Sequence, residues 1–391
     1  MERAFILEGA RTPIGKFLGS FADIPAVELG TLAAVEAMRR SNVAPDQVDQ
    51  TILGHARQAG TGPNSGRQVS VRAGVPVEVS AYNVNIACGS GMKAVQLAAQ
   101  QIVLGESEVV LAGGMENMTR VPFLLPQMRL GYRLGNAEVV DGMYRDGLLD
   151  PLCGLIMGET AENLVDRYDI TREEQDGFAL ESQQKTAAGA SSRADEMFPV
   201  DVPDPKGSTM AVTQDEHPRP DTTMETLSKL KPVFRDGGSV TAGNSSGITD
   251  GAAAMVLMSE SRARAEGREP LARVIGTSWA GVPPEIMGIG PVPATKKALD
   301  RTGLSLADID LIEINEAFAA QVIACERELK FDRDKLNVRG GGISVGHPIG
   351  MSGARIILSL AYEMRARGAA LGLATLCISG GQGLAVVLER D

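Results

Sequence analysis

The sequence predicts an α/β protein built from two copies of one layered unit, and three observations carry that reading. Helical and strand-like apolar patterns alternate at both ends of the chain, as they do where helices pack on sheet. The order helix, short acidic link, strand occurs twice: residues 29–40, Pro45-Asp-Gln-Val-Asp49 and 50–54, then residues 293–302, Ser305-Leu-Ala-Asp-Ile-Asp310 and 311–314. A glycine-rich turn, a long helix, a stopping glycine and a buried-looking strand also recur at matching places in the two halves.

In the first copy Cys88-Gly-Ser-Gly-Met92 opens a helix over 92–104, with Ala94, Val95, Leu97, Ala98 and Ile102 as its apolar face. Gly105 ends it, and Val109-Val-Leu-Ala112 follows as a strand. In the second copy His347-Pro-Ile-Gly-Met-Ser-Gly353 opens a helix running to Arg367. Gly368 stops that helix, and Leu371-Gly-Leu-Ala-Thr-Leu376 is the strand. A pseudo-twofold relating the copies brings the Cys88 turn to the His347 turn. Between them, over 118–243, prolines, methionines and mixed charges replace the regular pattern. One helix stands out there, 171–190, opened by the capping sequence Thr171-Arg-Glu-Glu174. The expected organisation is 1–117 with 244–268 as the first half, 118–243 as an inserted loop domain, and 269–391 as the second half. Such excursions commonly shape a ligand site.

With 43% hydrophobic and 22% charged residues, the 391-residue chain has ample core material and no disorder signature. A net charge of -11 argues against an open basic groove for nucleic acid. Four cysteines without a C-x-x-C pair suit a reducing compartment. The start runs into Ala4-Phe-Ile-Leu7 rather than a basic stretch and long apolar segment, and every apolar run is shorter than a membrane span. The expectation is a cytoplasmic protein with neither nucleic-acid nor membrane partners.

Cys88 falls between a strand-like run and a glycine-rich helix start, where a positive dipole end favours thiolate over thiol. Gly89 and Gly91 leave room for a substrate, as in strand–turn–helix nucleophile turns. His347, wedged between Gly346 and Pro348, cannot sit inside a regular helix, and a Cys–His pair is the activation logic of a thiol nucleophile. Cys377 ends a strand beside Ile378-Ser-Gly-Gly-Gln-Gly383. A second thiol there suits acid–base work, and the loop N–H groups suit an oxyanion hole, each donor contributing about 3 kcal/mol. Asn315 precedes Glu316 at a strand end, where spacing alone does not separate a helix cap from a group that holds a water. His55, His217, Cys153 and Cys325 read as structural, with no metal site.

Together these segments strongly resemble the thiolase family. The resemblance rests on Asn85-Ile-Ala-Cys-Gly-Ser-Gly-Met-Lys-Ala94, Asn315-Glu-Ala-Phe318, Gly346-His-Pro-Ile-Gly350 and Cys377-Ile-Ser-Gly-Gly-Gln-Gly383, in that order, and spans essentially the whole chain. It implies a five-layered αβαβα fold, a homotetramer arranged as a dimer of dimers, and CoA thioesters as substrates with no permanently bound cofactor. Cys88 would attack the acyl donor, His347 would accept its proton, and Cys377 would move the proton at the acetyl-CoA carbon. His347 and a water on Asn315 would form one oxyanion hole, and the N–H groups of Cys88 and Ser379 the other. CoA would meet Arg219 and Ser246, with Met157, Phe234, Met287, Ala317 and Phe318 lining its tunnel.

Three departures stand out. Ser379 replaces the family's usual Gly at an oxyanion donor, and a glycine-only backbone angle would not survive that change. Gly342 and Ser344 replace alanines, a change expected to loosen packing. Ile156 replaces the His of members dedicated to acetoacetyl-CoA synthesis, and Asp215-Glu-His-Pro-Arg-Pro-Asp221 resembles the degradative group. The activity implied is reversible thiolytic cleavage of 3-ketoacyl-CoA, acetoacetyl-CoA included, of short to medium chain range. A dedicated acetyl-CoA acetyltransferase, a Cys–His thioester hydrolase and a non-catalytic acyl-CoA binding protein are the alternatives.

Overall fold

A computed structural model describes residues 2–203 and 207–390. Its principal strands are β1 (Ala4–Arg11), β2 (Gln50–His55), β3 (Ser80–Val84), β4 (Val109–Asn117), β5 (Thr249–Ser259), β6 (Ala272–Gly281), β7 (Leu311–Ile314), β8 (Leu371–Ile378) and β9 (Gln382–Glu389). The helices that matter here are α1 (Ala26–Arg40), α2 (Ser65–Arg72), α3 (Ser90–Leu104), α4 (Met157–Tyr168), α5 (Arg172–Ala188), α6 (Pro291–Thr302), α7 (Ala319–Leu329) and α8 (Ile349–Arg367).

The strands form one hydrogen-bonded path in the order β7-β8-β9-β6-β1-β5-β4-β2-β3. The duplication expected from sequence is visible in the pairing. In the first half β2 lies parallel to β4, β4 antiparallel to β5, and β5 antiparallel to β1. In the second half β7 lies parallel to β8, β8 antiparallel to β9, and β9 antiparallel to β6. Even the parallel edge strand β3 has a vestige, a parallel bridge between Ile312 and Leu336. The halves join where Ala4, Phe5 and Ile6 pair with Val274, Arg273 and Ala272.

Period-two alternation sorts side chains to the two faces. Ile6, Ile52, Ala253, Met255, Leu376 and Val386 turn onto the central pair α3 and α8. Phe5, Leu7, Leu53, Leu111 and Val256 face α1 and α2. Ile312, Ile314, Leu373 and Val387 face α6 and α7. The result is helix, sheet, helix, sheet, helix: five layers, as expected. The central position of α8 follows from its sequence. Ile349 through Met364 are all buried, the pattern of a helix apolar on every side.

Two glycines let the central helices touch backbone to backbone. A Cβ on Gly353 would lie 2.4 Å from Met92 N, and one on Gly91 would lie 2.7 Å from Ala354 N. The N-termini of α3 and α8 therefore meet, and the Cys88 and His347 turns meet with them.

The chain leaves the sheet after Asn117 and rejoins it at Thr249. The capping sequence behaves as read. Thr171 Oγ1 accepts from Glu174 N at 3.1 Å, and Glu174 Oε2 accepts from Thr171 N at 2.7 Å. The sequence reading missed α4, a second long helix in this excursion. Its charged positions mask the stripe of Ala161, Leu164 and Val165 that packs toward the core.

Candidate active site

Cys88 is delivered by a tight turn between β3 and α3. Ala87 sits at φ 45, left-handed for a residue with a Cβ, a conformation costing about 1–3 kcal/mol and characteristic of functional turns. Side chains hold it there. Ser90 Oγ donates to Ala87 O at 2.7 Å and accepts from Ile86 N at 3.0 Å, while Asn85 Oδ1 accepts from Ala87 N at 3.0 Å.

The sulfur is half-buried. Burial raises its pKa above the ordinary thiol value, opposed by the charge of Arg57 and by the N–H groups of Ser379 and of Cys88 itself. This corrects the expectation of a preferred thiolate. The helix terminus contributes N–H groups, but desolvation outweighs them, so the resting group is a thiol.

Serine is compatible with the backbone at position 379. Its φ is not positive; the left-handed angles fall on Gly380 and Gly381, at 84° and 78°. The backbone angle that would have barred serine belongs to its neighbours. Asp150 Oδ2 anchors this loop by accepting from Gly380 N at 2.8 Å.

His347 lies between the short helix Gly342–Val345 and α8, outside any helix as expected. Its Nδ1 is 2.5 Å from Ser352 Oγ, which in turn donates to Pro348 O at 2.9 Å. With the hydroxyl proton committed to a carbonyl, Nδ1–H is the donor to Ser352 and Nε2 is left as the acceptor. Burial, then the charges of Arg355 and Arg57, push the imidazole pKa down to about 3. Asn315 Nδ2 lies 3.4 Å from His347 Nε2, and Asn315 Oδ1 is buried without a protein partner. Among the described residues the ring bonds to Ser352 and Asn315. It meets Cys88 across a shared cavity rather than by a hydrogen bond.

Asn315 is not a helix cap, because α7 begins after Phe318. Glu316 beside it is fully buried and accepts from Ser182 Oγ at 2.7 Å, Asn337 Nδ2 at 2.8 Å and Ile343 N at 3.1 Å. It clamps the loop leading to His347. Of the two substitutions expected to loosen that loop, Ser344 instead fastens it, and Gly342 permits a close backbone approach. Ser344 Oγ is 2.5 Å from Thr186 Oγ1 and 2.9 Å from Ser182 Oγ on α5. At Gly342 a Cβ would approach Glu316 O to 2.8 Å.

Cys377 is almost fully buried within β8. Burial, then the charges of Cys88 and Cys325, hold its pKa well above the ordinary thiol value. Cys325 packs inside α7 and donates to Gly288 O at 3.4 Å, as a structural cysteine does. His55 is likewise structural, with Nδ1 2.9 Å from Ser65 Oγ and Nε2 3.3 Å from Glu116 Oε1.

One cavity of about 670 Å³ joins Cys88, His347, Cys377 and Ser379, a size suited to an extended organic ligand. Arg219, Ser246, Met157, Phe234, Met287, Ala317 and Phe318 all line it, as does Ile156. Its apolar walls fall into two groups. Met157, Phe234, Met287, Ala317 and Phe318 surround Cys377, with the Phe234 and Phe318 rings edge to face at 6.1 Å. Met118, Leu148, Ile248 and Ile349 surround Cys88. His217, read from sequence as structural, also lines the cavity. Its ring lies on Gly247, where a Cβ would approach Nε2 to 2.6 Å. The one signal for it was its place two residues before Arg219.

A duplicated five-layer fold carrying two thiols and a neutral imidazole around one cavity, with a buried amide against the imidazole, defines a thiol-based acyl-transfer enzyme. The chain belongs to the thiolase family. The model for the N-terminal domain of thiolase matches residues 4–261, and that for the C-terminal domain matches residues 268–390. The acetyl-CoA acetyltransferase of Pseudomonas aeruginosa is 51% identical over the full length of both chains. The crystal structure of the Bacillus anthracis acetyl-CoA acetyltransferase superposes with a TM-score of 0.97 at 48% identity, covering 100% of this chain and 99% of that one. Human mitochondrial 3-ketoacyl-CoA thiolase, solved in complex with CoA, gives 0.95 at 42% identity, covering 100% and 98%.

Proposed function

We propose that this enzyme catalyses reversible thiolytic cleavage of 3-ketoacyl-CoA, acetoacetyl-CoA included, to acetyl-CoA and an acyl-CoA shortened by two carbons, through an acyl-Cys88 intermediate. The observation that carries this reading is the pair of thiols, Cys88 and Cys377, in one cavity with a neutral His347.

The proton positions fit the cleavage direction. His347 Nε2 accepts the Cys88 proton, and the thiolate attacks the 3-keto carbon. The N–H groups of Cys88 and Ser379 receive one developing oxyanion, and His347 with an Asn315-held water receives the other. Cys377, held as a thiol by burial, donates its proton to the departing acetyl-CoA carbanion. It then takes a proton from incoming CoA, whose thiolate attacks the acyl carbon and displaces Cys88, and His347 returns its proton to the leaving Cys88 thiolate. A hydrolase has no use for this second thiol.

Two apolar lobes support chains longer than acetyl. The lobe around Cys377 suits the pantetheine arm, with Arg219 toward its phosphates and Ser246 along it. The lobe of Met118, Leu148, Ile248 and Ile349 receives the acyl tail beside Cys88. Ile156 at the cavity wall supports the same reading. The alternative, an acetyl-CoA acetyltransferase dedicated to acetoacetyl-CoA synthesis, is favoured by the name of the Pseudomonas aeruginosa relative. CoA-dependent cleavage of a series from acetoacetyl-CoA upward, followed at the enolate absorbance, decides between them. Comparable or better rates on longer chains support the degradative role, and activity confined to acetoacetyl-CoA overturns it.

A cytoplasmic homotetramer working in fatty acid metabolism completes the proposal. Four free cysteines suit a reducing compartment, and no helix among the described residues is long and apolar enough to cross a membrane. Leu130 and Leu134, 88% and 98% exposed, support burial against another copy. Light scattering on the purified protein reads the assembly directly.

A further inference from the structure

Arg57 is a half-buried arginine that follows Ala56, a residue packed in the same apolar cluster as Cys88, and no carboxylate pairs with its guanidinium among the described residues. The nearest acid, Glu116, is already committed: its carboxylate accepts from the N–H groups of Ala56, Arg57 and Gly350 at 3.3, 3.0 and 2.9 Å. It also lies 3.3 Å from His55 Nε2. Among the described residues the guanidinium bonds through Nη2 to Gly147 O at 3.1 Å, and its Nε is buried without a partner. Gly147 covers that nitrogen, since a Cβ there would lie 3.1 Å from it. Gly147 belongs to the π-helical turn Tyr144–Leu148, a rare geometry found mostly at functional sites. Tyr144, Gly147 and Leu148 wall the cavity that holds Cys88. The segment carrying Arg57 is also tied to the nucleophile turn, because Asn85 Nδ2 donates to Ala56 O at 2.9 Å.

A partly desolvated cation without a counter-ion costs stability, and it is placed to stabilise an anion that forms nearby. We propose that Arg57 is a positioning residue for the nucleophile, its guanidinium giving the fixed positive charge against which Cys88 ionises while its bond to Gly147 holds the wall of the acyl-side lobe. This rests on Cys88 being the nucleophile. Two charged groups act on that sulfur, beside the N–H groups of Ser379 and of Cys88 itself. Arg57 favours the thiolate and Glu116 opposes it. Cys377 is a buried thiol and His347 is neutral, leaving Arg57 as the positive charge that balances Glu116.

The test is the pH dependence of Cys88 alkylation by iodoacetamide, read on the Cys88 peptide by mass spectrometry, in wild type, Arg57→Gln and Arg57→Lys. Gln removes the charge and keeps a donor for Gly147 O; Lys keeps the charge and loses the planar fork. Arg57→Gln is expected to move the midpoint upward by about one unit, lowering the rate at neutral pH about tenfold. Arg57→Lys is expected to recover most of that shift. A wild-type profile in Arg57→Gln overturns the proposal, as does an Arg57→Lys profile displaced as far as that of Arg57→Gln. If Arg57→Gln does not fold, Arg57→Lys is read against wild type: a midpoint within about 0.3 unit of wild type supports the proposal, and one raised by about a full unit overturns it. Failure of the underlying reading is separate: a Cys88→Ala variant that turns over normally removes the nucleophile, whatever the alkylation profiles show.

Discussion

His347 Nδ1 and Ser352 Oγ lie 2.5 Å apart, and the Ser352 hydroxyl donates its own hydrogen bond to Pro348 O at 2.9 Å. That pair of hydrogen bonds sets the tautomer and leaves Nε2, 3.4 Å from Asn315 Nδ2, as the acceptor. Ser352 stands on the first turn of α8, one residue from the Gly353 that brings this helix against α3. The duplicated fold thus positions the base and the nucleophile by the same contact.

Removing these hydrogen bonds frees the imidazole to adopt the other tautomer. Ser352→Ala is expected to lower kcat about 10- to 100-fold, the equivalent of about 1.5–3 kcal/mol for a hydrogen bond to a group that becomes charged. KM for the acyl donor is expected to change little, and Ser352→Thr to restore most of the rate. Steady-state kinetics of the two variants check this.

Burial of neutral His347 has a consequence for stability. Between its ordinary value of 6.5 and its folded value of about 3, the unfolded chain binds a proton that the folded chain refuses. Stability therefore falls as pH is lowered through that window. Thermal midpoints measured across it are expected to drop more steeply for wild type than for His347→Asn. The same depression moves the activity limb. The folded environment places imidazole protonation well below the ordinary histidine range, so kcat/KM is expected to show no His347 step near neutrality.

Cys377 separates carbon acid–base chemistry from simple acyl transfer. Cys377→Ser is expected to reduce thiolysis of acetoacetyl-CoA by about 10²- to 10⁴-fold, while acetyl-CoA still acetylates Cys88. Intact-protein mass spectrometry detects that acetyl group. Full turnover in the variant would favour a hydrolase.

The acyl-side lobe sets the chain range. A buried methylene contributes about 0.8 kcal/mol, so kcat/KM is expected to rise up to about fourfold per carbon until the lobe is full. Leu148→Trp narrows it, and the rate ratio of a six-carbon to a four-carbon 3-ketoacyl-CoA is expected to fall about tenfold. An unchanged ratio would place the tail elsewhere.

Local signals made much of this legible in the sequence. Gly105 and Gly368 end their helices in left-handed conformation, at φ 74 and 67, and the Thr171–Glu174 box closes as its spacing demands. The repeat foretold that the Cys88 and His347 turns would meet. What stayed hidden was non-local. Ser352 has no motif of its own, and its value comes from a ring folded back five residues. Glu116 and Arg57 matter through where β4 and the end of β2 run beside the nucleophile turn. The direction of the Cys88 pKa depended on burial, which the helix-terminus signal does not report.

The most direct measurement is mass spectrometry of the enzyme quenched during turnover of a 3-ketoacyl-CoA, with the adduct mapped by peptide. The account predicts an acyl group two carbons shorter than the substrate chain on Cys88, released by added CoA and absent from a folded, inactive Cys88→Ala. Turnover with no adduct at Cys88, or near-normal thiolysis by Cys88→Ala, would contradict it.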